Sequence, residues 1–408
     1  MGTNCSAQTP SAVEPVEFNP FCEEAISDPI AYQRWMRQAG EVLVYRGHKH
    51  PLYALTRHAD IRALWQDPTS ATANYGQMPE FTQEPGLRND PPEHTIFRNL
   101  VNPYFSIAAV KRMTGVYETT ANRLIDKMTA DRSEADFCAD FCAQYPISVA
   151  AGTLGVDASR YDDFHSWASE ISNGNSTFDM ARVEAAKSQI FDYFRTLLAV
   201  RRQRLADATD NEREDLLAHL VLAVHPEGRP FHDDELLQLL LLLLIGATDT
   251  TAGLLGGCMT RLLQEPDLLQ AARNQPELGE IALEESLRFD PPVMATWRTT
   301  AKPLTIAGVD IPAGVKIAGY YACANRDPAI FDDPDTFRLD RPLSTIKRHM
   351  AFGFGIHHCL GSHLARLDAR VALQVVLNRL PKLRLNGKPQ FRVLPFLRGA
   401  VSLPVRWD

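Results

Sequence analysis

The residues best suited to chemistry stand in the segment Ala351-Phe-Gly-Phe-Gly-Ile-His-His-Cys-Leu-Gly-Ser-His-Leu-Ala365, where glycines precede a cysteine that histidines surround. Cys359 lies where this loop turns into a helical pattern that begins near Leu360. At a helix N-terminus, unpaired backbone N–H groups and the positive end of the helix dipole lower the pKa of a thiol. The sequence therefore predicts a thiolate that acts as a metal ligand or as a nucleophile.

Several roles are open to Cys359 when the loop is considered alone. A zinc site would combine it with His357, His358 or His363, but two adjacent histidines do not easily point at one ion, and no zinc-like spacing follows. A nucleophilic thiol would need a histidine base and an orienting Asn or Asp elsewhere in the chain. A structural cysteine at a helix start would not need the neighbouring glycines, which cost backbone entropy.

The remaining role is that of an axial thiolate on haem iron, for which one cysteine suffices and the opposite coordination position stays open for oxygen. Glycine lets the backbone approach a flat group closely, and an aromatic ring would shield the sulfur from water. The fixed residues of the pattern are Phe352, Gly353, Gly355, His357, Cys359 and Gly361. They resemble the haem-binding loop of the cytochrome P-450 family, the haem-thiolate monooxygenases, in its soluble bacterial type. The resemblance implies haem b as the cofactor, with Cys359 as the iron ligand.

A second motif, Gly246-Ala-Thr-Asp249-Thr250-Thr251, interrupts a leucine-rich helical pattern. An acid and hydroxyls in a buried stretch break the local pattern, which is where function is expected. One interpretation is structural, with Thr250 bonded to the carbonyl of Gly246 and Asp249 bound to a structural partner. The family resemblance implies another, in which Asp249 and Thr250 are the catalytic acid–alcohol pair that supplies protons during oxygen activation.

Two further motifs match the family in order and spacing. Glu285 and Arg288 would form a buried structural ion pair, with Arg341 as the preferred third partner and Arg338 as the alternative. The helix start that Asp90 caps, the strand after Arg288 and the cysteine loop would supply partners for the haem propionates, because buried carboxylates need charge-assisted hydrogen bonds. These partners are His94, Arg98, Arg298 and His357.

The residues expected to contact the substrate are Leu242, Ile245, Gly246, Val293, Met294 and Leu397. Leu242 and Gly246 share one helix face with Thr250, because their spacing is four. The set is apolar, which predicts a small or medium hydrophobic substrate, aromatic or terpenoid-like, modified by hydroxylation or O-demethylation. The alternatives are a haem-thiolate isomerase or lyase and a non-catalytic haem-binding protein.

Composition narrows the class of protein. Of 408 residues, 45% are hydrophobic, which suffices for a large core. The net charge of -8 argues against a general nucleic-acid binder, because phosphate affinity needs clustered Lys and Arg. The cysteines lack the spacing of a disulfide framework, and the N-terminus lacks the basic start and apolar core of a signal peptide. We therefore expect a cytoplasmic protein, although Gly2 and Cys5 fit a loose acylation pattern.

The fold is predicted to be mainly α with small β-sheets, the single-domain cytochrome P-450 fold. Strand pairs are expected within 41–56 and 304–321. The apolar run Leu236 to Ala247 is too short for a membrane span. We expect a disordered leader over 1–16 and one haem-thiolate monooxygenase domain over 17–408. Helical patterns, with breaks at Pro or Gly, fill 94–129, 145–172, 182–207, 212–224, 232–264 and 276–288.

Electrons are expected from a separate protein, since no flavin or ferredoxin module follows the last predicted strands. The resemblance implies O2 as co-substrate and a two-iron ferredoxin, with its NAD(P)H ferredoxin reductase, as the electron donor. Basic residues in segments that border the thiolate side of the haem in the family are predicted to dock the ferredoxin. They are Lys111, Arg112, Lys347, Arg348, Arg366 and Arg370.

Overall fold

Helices form the larger part of the structure. The computed structural model describes residues 13–83, 86–177, 179–207, 215–394 and 396–408. The helices in these ranges are α1 (Glu23–Ser27), α2 (Pro29–Ala39), α3 (His58–Trp65), α4 (Glu93–Val101), α5 (Ile107–Arg112), α6 (Thr114–Thr129), α7 (Gln144–Thr153), α8 (Tyr161–Thr177), α9 (Met180–Asp207), α10 (Leu216–Leu222), α11 (Asp233–Gln264), α12 (Pro266–Asn274), α13 (Pro276–Phe289), α14 (Tyr321–Ala324), α15 (Leu343–Ile346) and α16 (Ser362–Arg379).

The strands are short and form small sheets. They are β1 (Val16–Glu17), β2 (Val42–Tyr45), β3 (Leu52–Leu55), β4 (Ala71–Thr72), β5 (Glu134–Asp136), β6 (Ala295–Thr300), β7 (Leu304–Ile306), β8 (Val309–Ile311), β9 (Lys316–Tyr320), β10 (Arg384–Leu385), β11 (Gln390–Val393), β12 (Arg398–Ser402) and β13 (Pro404–Arg406). The largest sheet has the order β1-β2-β3-β9-β6-β4, with β3 antiparallel to β2 and parallel to β9. The smaller sheets are β10-β13-β5, β11-β12 and β7-β8.

Helix α11 crosses the helical layer and contacts α7, α9, α13 and α16. It begins with a capping box, in which the His232 N–H donates to Glu235 Oε2 at 2.6 Å. Asp233 and Asp234 add negative charge at the positive end of the helix dipole. Within the described ranges, this is the one helix long and apolar enough to cross a membrane, with a mean hydropathy of 1.8. Its packing on four other helices makes it the central helix of the core.

The cysteine loop lies at the seam between the helices and the large sheet. One hydrophobic core joins α6, α7, α9, α11, α13 and α16, and Phe352 of the loop packs against it. A second core lies against the large sheet, and Phe354 of the same loop packs there. Two aromatic side chains, two residues apart, therefore fix the loop to both layers.

A buried ion-pair network ties the chain after β9 to α13. Glu285 accepts two hydrogen bonds of 2.7 Å from Arg288, and both side chains are fully buried. Arg341 Nε lies 3.1 Å from Glu285 Oε1, and Arg341 also donates to the carbonyl of Asp333 at 2.7 Å. Arg338 contributes its backbone N–H to Glu285 at 3.1 Å, while its side chain faces exposed carboxylates. The guanidinium groups of Arg288 and Arg341 thus anchor this loop to the helix.

The structure confirms the mainly α fold with small sheets. The patterns 182–207, 232–264 and 276–288 correspond to α9, α11 and α13. The pattern 94–129 contains α4, α5 and α6, which are separated at 102–106 and at Met113. Pro103 stands at the first break. Proline has no backbone N–H, so it cannot donate the hydrogen bond that would continue an α-helix.

Two other predicted segments differ from the structure in detail. The pattern 145–172 divides into α7 and α8, and Gly155 between them has a φ of 75°. In 304–321, β7 pairs with β8, but β9 joins the large sheet between β3 and β6. Residues 1–12, and with them most of the predicted leader, lie outside the described ranges, so the leader stays a prediction.

We expect Arg288→Met to lower the free energy of unfolding by about 3–5 kcal/mol, because it leaves the buried Glu285 carboxylate without its bidentate partner. Urea unfolding of the purified protein at neutral pH measures this change. Arg338→Met removes a side chain of the same type whose charge faces solvent, so the free energy of unfolding should stay close to that of the parent protein. Equal losses in the two variants would contradict the role assigned to the buried network.

Candidate active site

A cavity of about 360 Å³ lies between α11, α4, β6 and the cysteine loop. Its wall carries most of the residues predicted for a haem and substrate site, which are far apart in the chain. These residues are His94, Arg98, Leu242, Gly246, Thr250, Val293, Arg298, Phe352, Gly353, His357, Cys359 and Gly361. The fold therefore assembles one site from motifs that the sequence keeps separate.

The backbone of the cysteine loop is tightly turned. The Cys359 N–H donates to the carbonyl oxygen of Phe352 at 2.8 Å. Gly353 and Gly355 have φ angles of 70° and 72°, in the region that favours glycine. A Cβ at Gly355 would also collide with the carbonyl oxygen of Trp65. Both glycines are therefore required by the path of the loop.

Cys359 is exposed to the cavity, whose protein wall surrounds its thiol. Desolvation raises the pKa of this thiol, and the Gly361 N–H and the guanidinium groups of Arg98 and Arg366 oppose that rise only in part. The predicted lowering of the thiol pKa is thus wrong for the protein chain alone. One reason is that α16 begins at Ser362, so Cys359 lies outside the first helical turn.

A second buried carboxylate holds the cysteine loop from behind. Glu284 of α13 lies 3.0 Å from His349 Nε2 and 2.5 Å from Arg366 Nε. Burial alone would raise the pKa of Glu284, but these partners hold it at about 2. The Arg366 guanidinium also lies 4.3 Å from the ring centre of Phe352. Sequence reasoning missed Glu284, because its partners are 65 and 82 residues away.

Basic side chains converge at one end of the cavity. Arg298 is 4% exposed, and its Nη1 donates to the carbonyl oxygen of Trp297 at 2.8 Å. Arg98 Nη1 donates to the carbonyl oxygen of His358 at 2.9 Å. Burial, with the charges of His357 and Arg98, lowers the pKa of His94 to about 4. An anionic group in the cavity would find two guanidinium groups here.

The side chain of Asp90 binds a residue of the cavity wall and does not cap α4. The N-cap of α4 is Pro92, and it makes no side-chain capping hydrogen bond. Asp90 Oδ1 instead lies 3.1 Å from His357 Nε2, and its Oδ2 accepts a hydrogen bond of 2.5 Å from Thr72. Despite burial, its hydrogen bonds and the charge of His357 hold the pKa of Asp90 below its usual value. Asp90 therefore orients His357.

The acid–alcohol motif divides between two sides of α11. Thr250 Oγ1 donates to the carbonyl oxygen of Gly246 at 2.9 Å, as the structural interpretation required, and both residues also line the cavity. Asp249 is not on the cavity wall. Its carboxylate is 44% exposed and lies 3.3 Å from Arg392 Nη2 on β11. Thr250 thus faces the cavity, while Asp249 faces outward.

Three predicted substrate contacts are also absent from the wall of this cavity. Ile245 packs against the helical core, and Met294 is 2% exposed with its sulfur 3.1 Å from Gln33 Nε2. Leu397 forms an isolated β-bridge with Val293. Tyr321 of α14 and Asp368 of α16 also line the wall, and sequence reasoning did not predict them.

The groups around the cavity fit a haem. Nε2 of His94 is buried without a hydrogen-bond partner in the described part of the chain, and it lies near the buried Arg298 and Arg98. A cavity that keeps such groups from water needs an anion to satisfy them, as haem carboxylates would. A Cβ at Gly361 would sit 4.0 Å from the sulfur of Cys359, so glycine keeps the space beside the thiol open.

Comparisons with known proteins agree with this assignment. The sequence model of the cytochrome P450 family matches residues 168–390. Cytochrome P450 107B1 of Saccharopolyspora erythraea is 35% identical over 374 residues, covering 87% of this chain and 89% of the relative. The steroid C26-monooxygenase of Mycolicibacterium smegmatis is 34% identical, with 91% of each chain covered.

Solved structures extend the similarity to the whole fold. The structure of the cytochrome P450 PksS of the bacillaene polyketide synthase from Bacillus subtilis has a TM-score of 0.85 at 29% identity. The match covers 96% of this chain and 100% of that one. With its cysteine loop, its basic rim and these relatives, the chain belongs to the cytochrome P450 family of oxidoreductases, which hold haem b through a cysteine thiolate.

Proposed function

We propose that this cytochrome P450 inserts one oxygen atom from O2 into a hydrophobic substrate, by hydroxylation or by O-demethylation. The observation that supports this function is that one cavity has both Cys359 and the Gly246–Thr250 turn of α11 on its wall. Between them the wall is mostly apolar, with Leu87, Leu242 and Val293. A substrate held there lies between the cofactor ligand and the hydroxyl of Thr250.

The roles of the cofactor-binding residues follow from the same arrangement. Cys359 would hold the iron through its thiolate, and Phe352 and Gly353 shape the loop that presents it. Arg98 and Arg298 would bind the haem propionates, with His94 and His357 as hydrogen-bond partners. Bound haem supplies an iron centre that activates O2 when electrons reach it, and the thiolate favours cleavage of the O–O bond.

Proton delivery is the part of the chemistry that falls to α11. The hydroxyl of Thr250 has one donor and two acceptor positions. It can therefore donate to the carbonyl of Gly246 and still accept a hydrogen bond from a donor in the cavity. Asp249 is in contact with solvent, and partly exposed ion pairs such as Asp249–Arg392 are worth about 0–1 kcal/mol. We propose that Asp249 takes up protons from solvent and that Thr250 accepts a hydrogen bond from the water that carries them into the cavity.

The names of the relatives bear on the substrate class. One is a steroid C26-monooxygenase and another belongs to a polyketide synthase. With the apolar wall, these names favour an alicyclic or polyketide-like hydrophobic molecule, including terpenoids, over a small aromatic compound. The polar side chains of Gln77 and Thr296 on the wall would fix its orientation.

Electrons are proposed to come from a two-iron ferredoxin that docks beside α5. This helix packs against α16, the helix that follows Cys359. Lys111 and Arg112 in its last turn are exposed, and neither forms an ion pair within the described ranges. Of the other predicted docking cations, Lys347 and Arg370 each lie 3.4 Å from Glu280 and Arg366 binds Glu284, while Arg348 is exposed. In the described part of the chain, Lys111 and Arg112 are therefore the adjacent pair of exposed cations in this set that lacks an ion pair, and we propose that an acidic ferredoxin binds there.

We also propose that the protein works in the cytoplasm. The cysteines in the described ranges are free thiols, as a reducing compartment favours. The long apolar helix α11 packs within the core, as its contacts with four other helices indicate.

Oxygen and NADH consumption by the purified holoprotein with a surrogate ferredoxin and reductase tests the function. A panel of steroids, macrolactones, terpenoids and small aromatic compounds is expected to include one that raises consumption and yields a product heavier by one oxygen or lighter by a methylene. Turnover of a panel compound without O2 or reductant would favour the isomerase or lyase alternative. Binding without any turnover would favour the non-catalytic one.

We expect Thr250→Ala to lower the product formed per NADH about tenfold and to raise hydrogen peroxide, because positioned proton transfer contributes at least that factor. Thr250→Ser keeps the hydroxyl and should retain most of the coupling. Product and peroxide are quantified with the same substrate in both variants. Unchanged coupling in Thr250→Ala would leave Thr250 with its hydrogen bond to Gly246 as its only role.

We expect the double variant Lys111→Glu and Arg112→Glu to raise the KM for ferredoxin about tenfold at low salt, because it removes electrostatic steering. The salt dependence of turnover should weaken in parallel. Arg195→Glu, a charge reversal on the exposed face of α9, serves as the matched control. A KM for ferredoxin that is equal in the double variant and in the control would place the docking surface elsewhere.

A further inference from the structure

Lys316 is a buried lysine that none of the family motifs includes. Its side chain in β9 is 0% exposed. Its ammonium group donates to the carbonyl oxygens of Tyr75 at 2.5 Å and Gly76 at 3.0 Å, and it lies 4.8 Å from the ring centre of Phe81. Removal of an ammonium group from water is costly, and hydrogen bonds to carbonyl groups and contact with an aromatic face offset part of that cost. The lysine therefore holds this part of the chain firmly.

The segment it holds, residues 73–82, is a compact turn that we call the 73–82 loop. The Gly76 N–H donates to the carbonyl of Ala73 at 2.9 Å, and the Thr82 N–H donates to the carbonyl of Tyr75 at 3.1 Å. Gly76 has a φ of 85°, and a Cβ there would collide with the side chain of Thr82. The carbonyl of Tyr75 therefore accepts bonds from both Thr82 and Lys316, at the centre of the turn.

The same loop forms part of the cavity wall. Gln77 follows directly after Gly76, and its side chain lines the cavity together with Arg298. The carbonyl of Gln77 accepts a hydrogen bond of 3.1 Å from the N–H of Trp297, the neighbour of Arg298 in β6. Tyr75, Met78 and Phe81 are 50%, 46% and 45% exposed and cover the outer side of the loop. A shift of Gly76 would therefore move Gln77 and change the shape of the cavity.

We propose that Lys316 is a positioning residue for substrate binding, which anchors the 73–82 loop as a wall of the cavity and thereby limits the size of the molecules that enter. The anchor is a buried charge on a central strand of the large sheet, so the loop takes its position from the most regular part of the fold. This inference rests on the proposed function only in treating the cavity as the substrate site.

The test compares Lys316→Met, which keeps the length of the side chain and removes its charge, with Lys302→Met. Lys302 is 54% exposed and lies 3.9 Å from Asp67, so its loss should leave the loop unchanged. In the holoprotein without substrate, amide hydrogen exchange in residues 73–82 should quicken about tenfold in Lys316→Met, since local opening becomes easier. The Lys302→Met variant should exchange as the parent protein does.

A second measurement uses two haem ligands of different size as probes. Optical titration gives dissociation constants for imidazole and for the bulky azole clotrimazole. In Lys316→Met the ratio of the two constants should change about tenfold, because only the bulky ligand has to fit against the loop. The constant for imidazole alone should stay within about twofold, since its binding does not require the wall to be ordered.

Unchanged exchange in the 73–82 loop, together with an unchanged ratio of azole constants, would overturn the proposal. Should Lys316→Met fail to fold, Gly76→Ala disturbs the same turn from outside the sheet. It should likewise quicken exchange in the 73–82 loop and change the ratio of the azole dissociation constants. Neither measurement needs substrate, ferredoxin or turnover. A protein that shows both effects but oxidises no panel compound would refute the proposed function and leave the role of Lys316 intact.

Discussion

Charges that folding removes from water must meet partners inside the protein, and helix α13 shows how much of this structure depends on that requirement. Two neighbouring carboxylates, Glu284 and Glu285, project from it in directions that differ by about 100°. One binds His349 and Arg366 and so holds the cysteine loop. The other binds Arg288 and Arg341 and so holds the chain that leads to this loop. A single helix thereby sets where the thiolate stands relative to both layers.

Local patterns carried enough information to predict the fold class and to identify the short motifs of the site. The role of the cysteine loop could be predicted because the path of its backbone requires glycine. Gly353 and Gly355 have positive φ angles, which other residues rarely adopt. The long helices α9, α11 and α13 were predictable, since apolar residues recur there at helical spacing between breaks at Pro or Gly. The partners of Glu284 and Asp90 were not, because they come from distant parts of the chain.

The absence of predicted substrate contacts from the cavity wall has a geometric cause. Periodicity tells which residues share a face, but it does not tell which neighbour covers that face. Ile245 follows the inward-facing Leu242 by three residues and still packs into the core. Asp249 and Thr250 are consecutive in a helix, about 100° apart, so the acid and the alcohol face different environments. Thr250 agrees with both the structural and the catalytic interpretation of its motif. Its hydroxyl donates a hydrogen bond to the carbonyl of Gly246, and the residue also lines the cavity.

The basic end of the cavity has a consequence for how the protein is made. Arg98, Arg298 and Nε2 of His94, a nitrogen without a hydrogen-bond partner in the described part of the chain, lie on the wall of one cavity. The carboxylates of the cofactor would compensate the desolvation that burial imposes on both guanidinium groups. A ligand that binds only the folded state shifts the folding equilibrium in proportion to its free concentration. The yield of intact protein in a cell will therefore follow the supply of haem as well as the rate of translation.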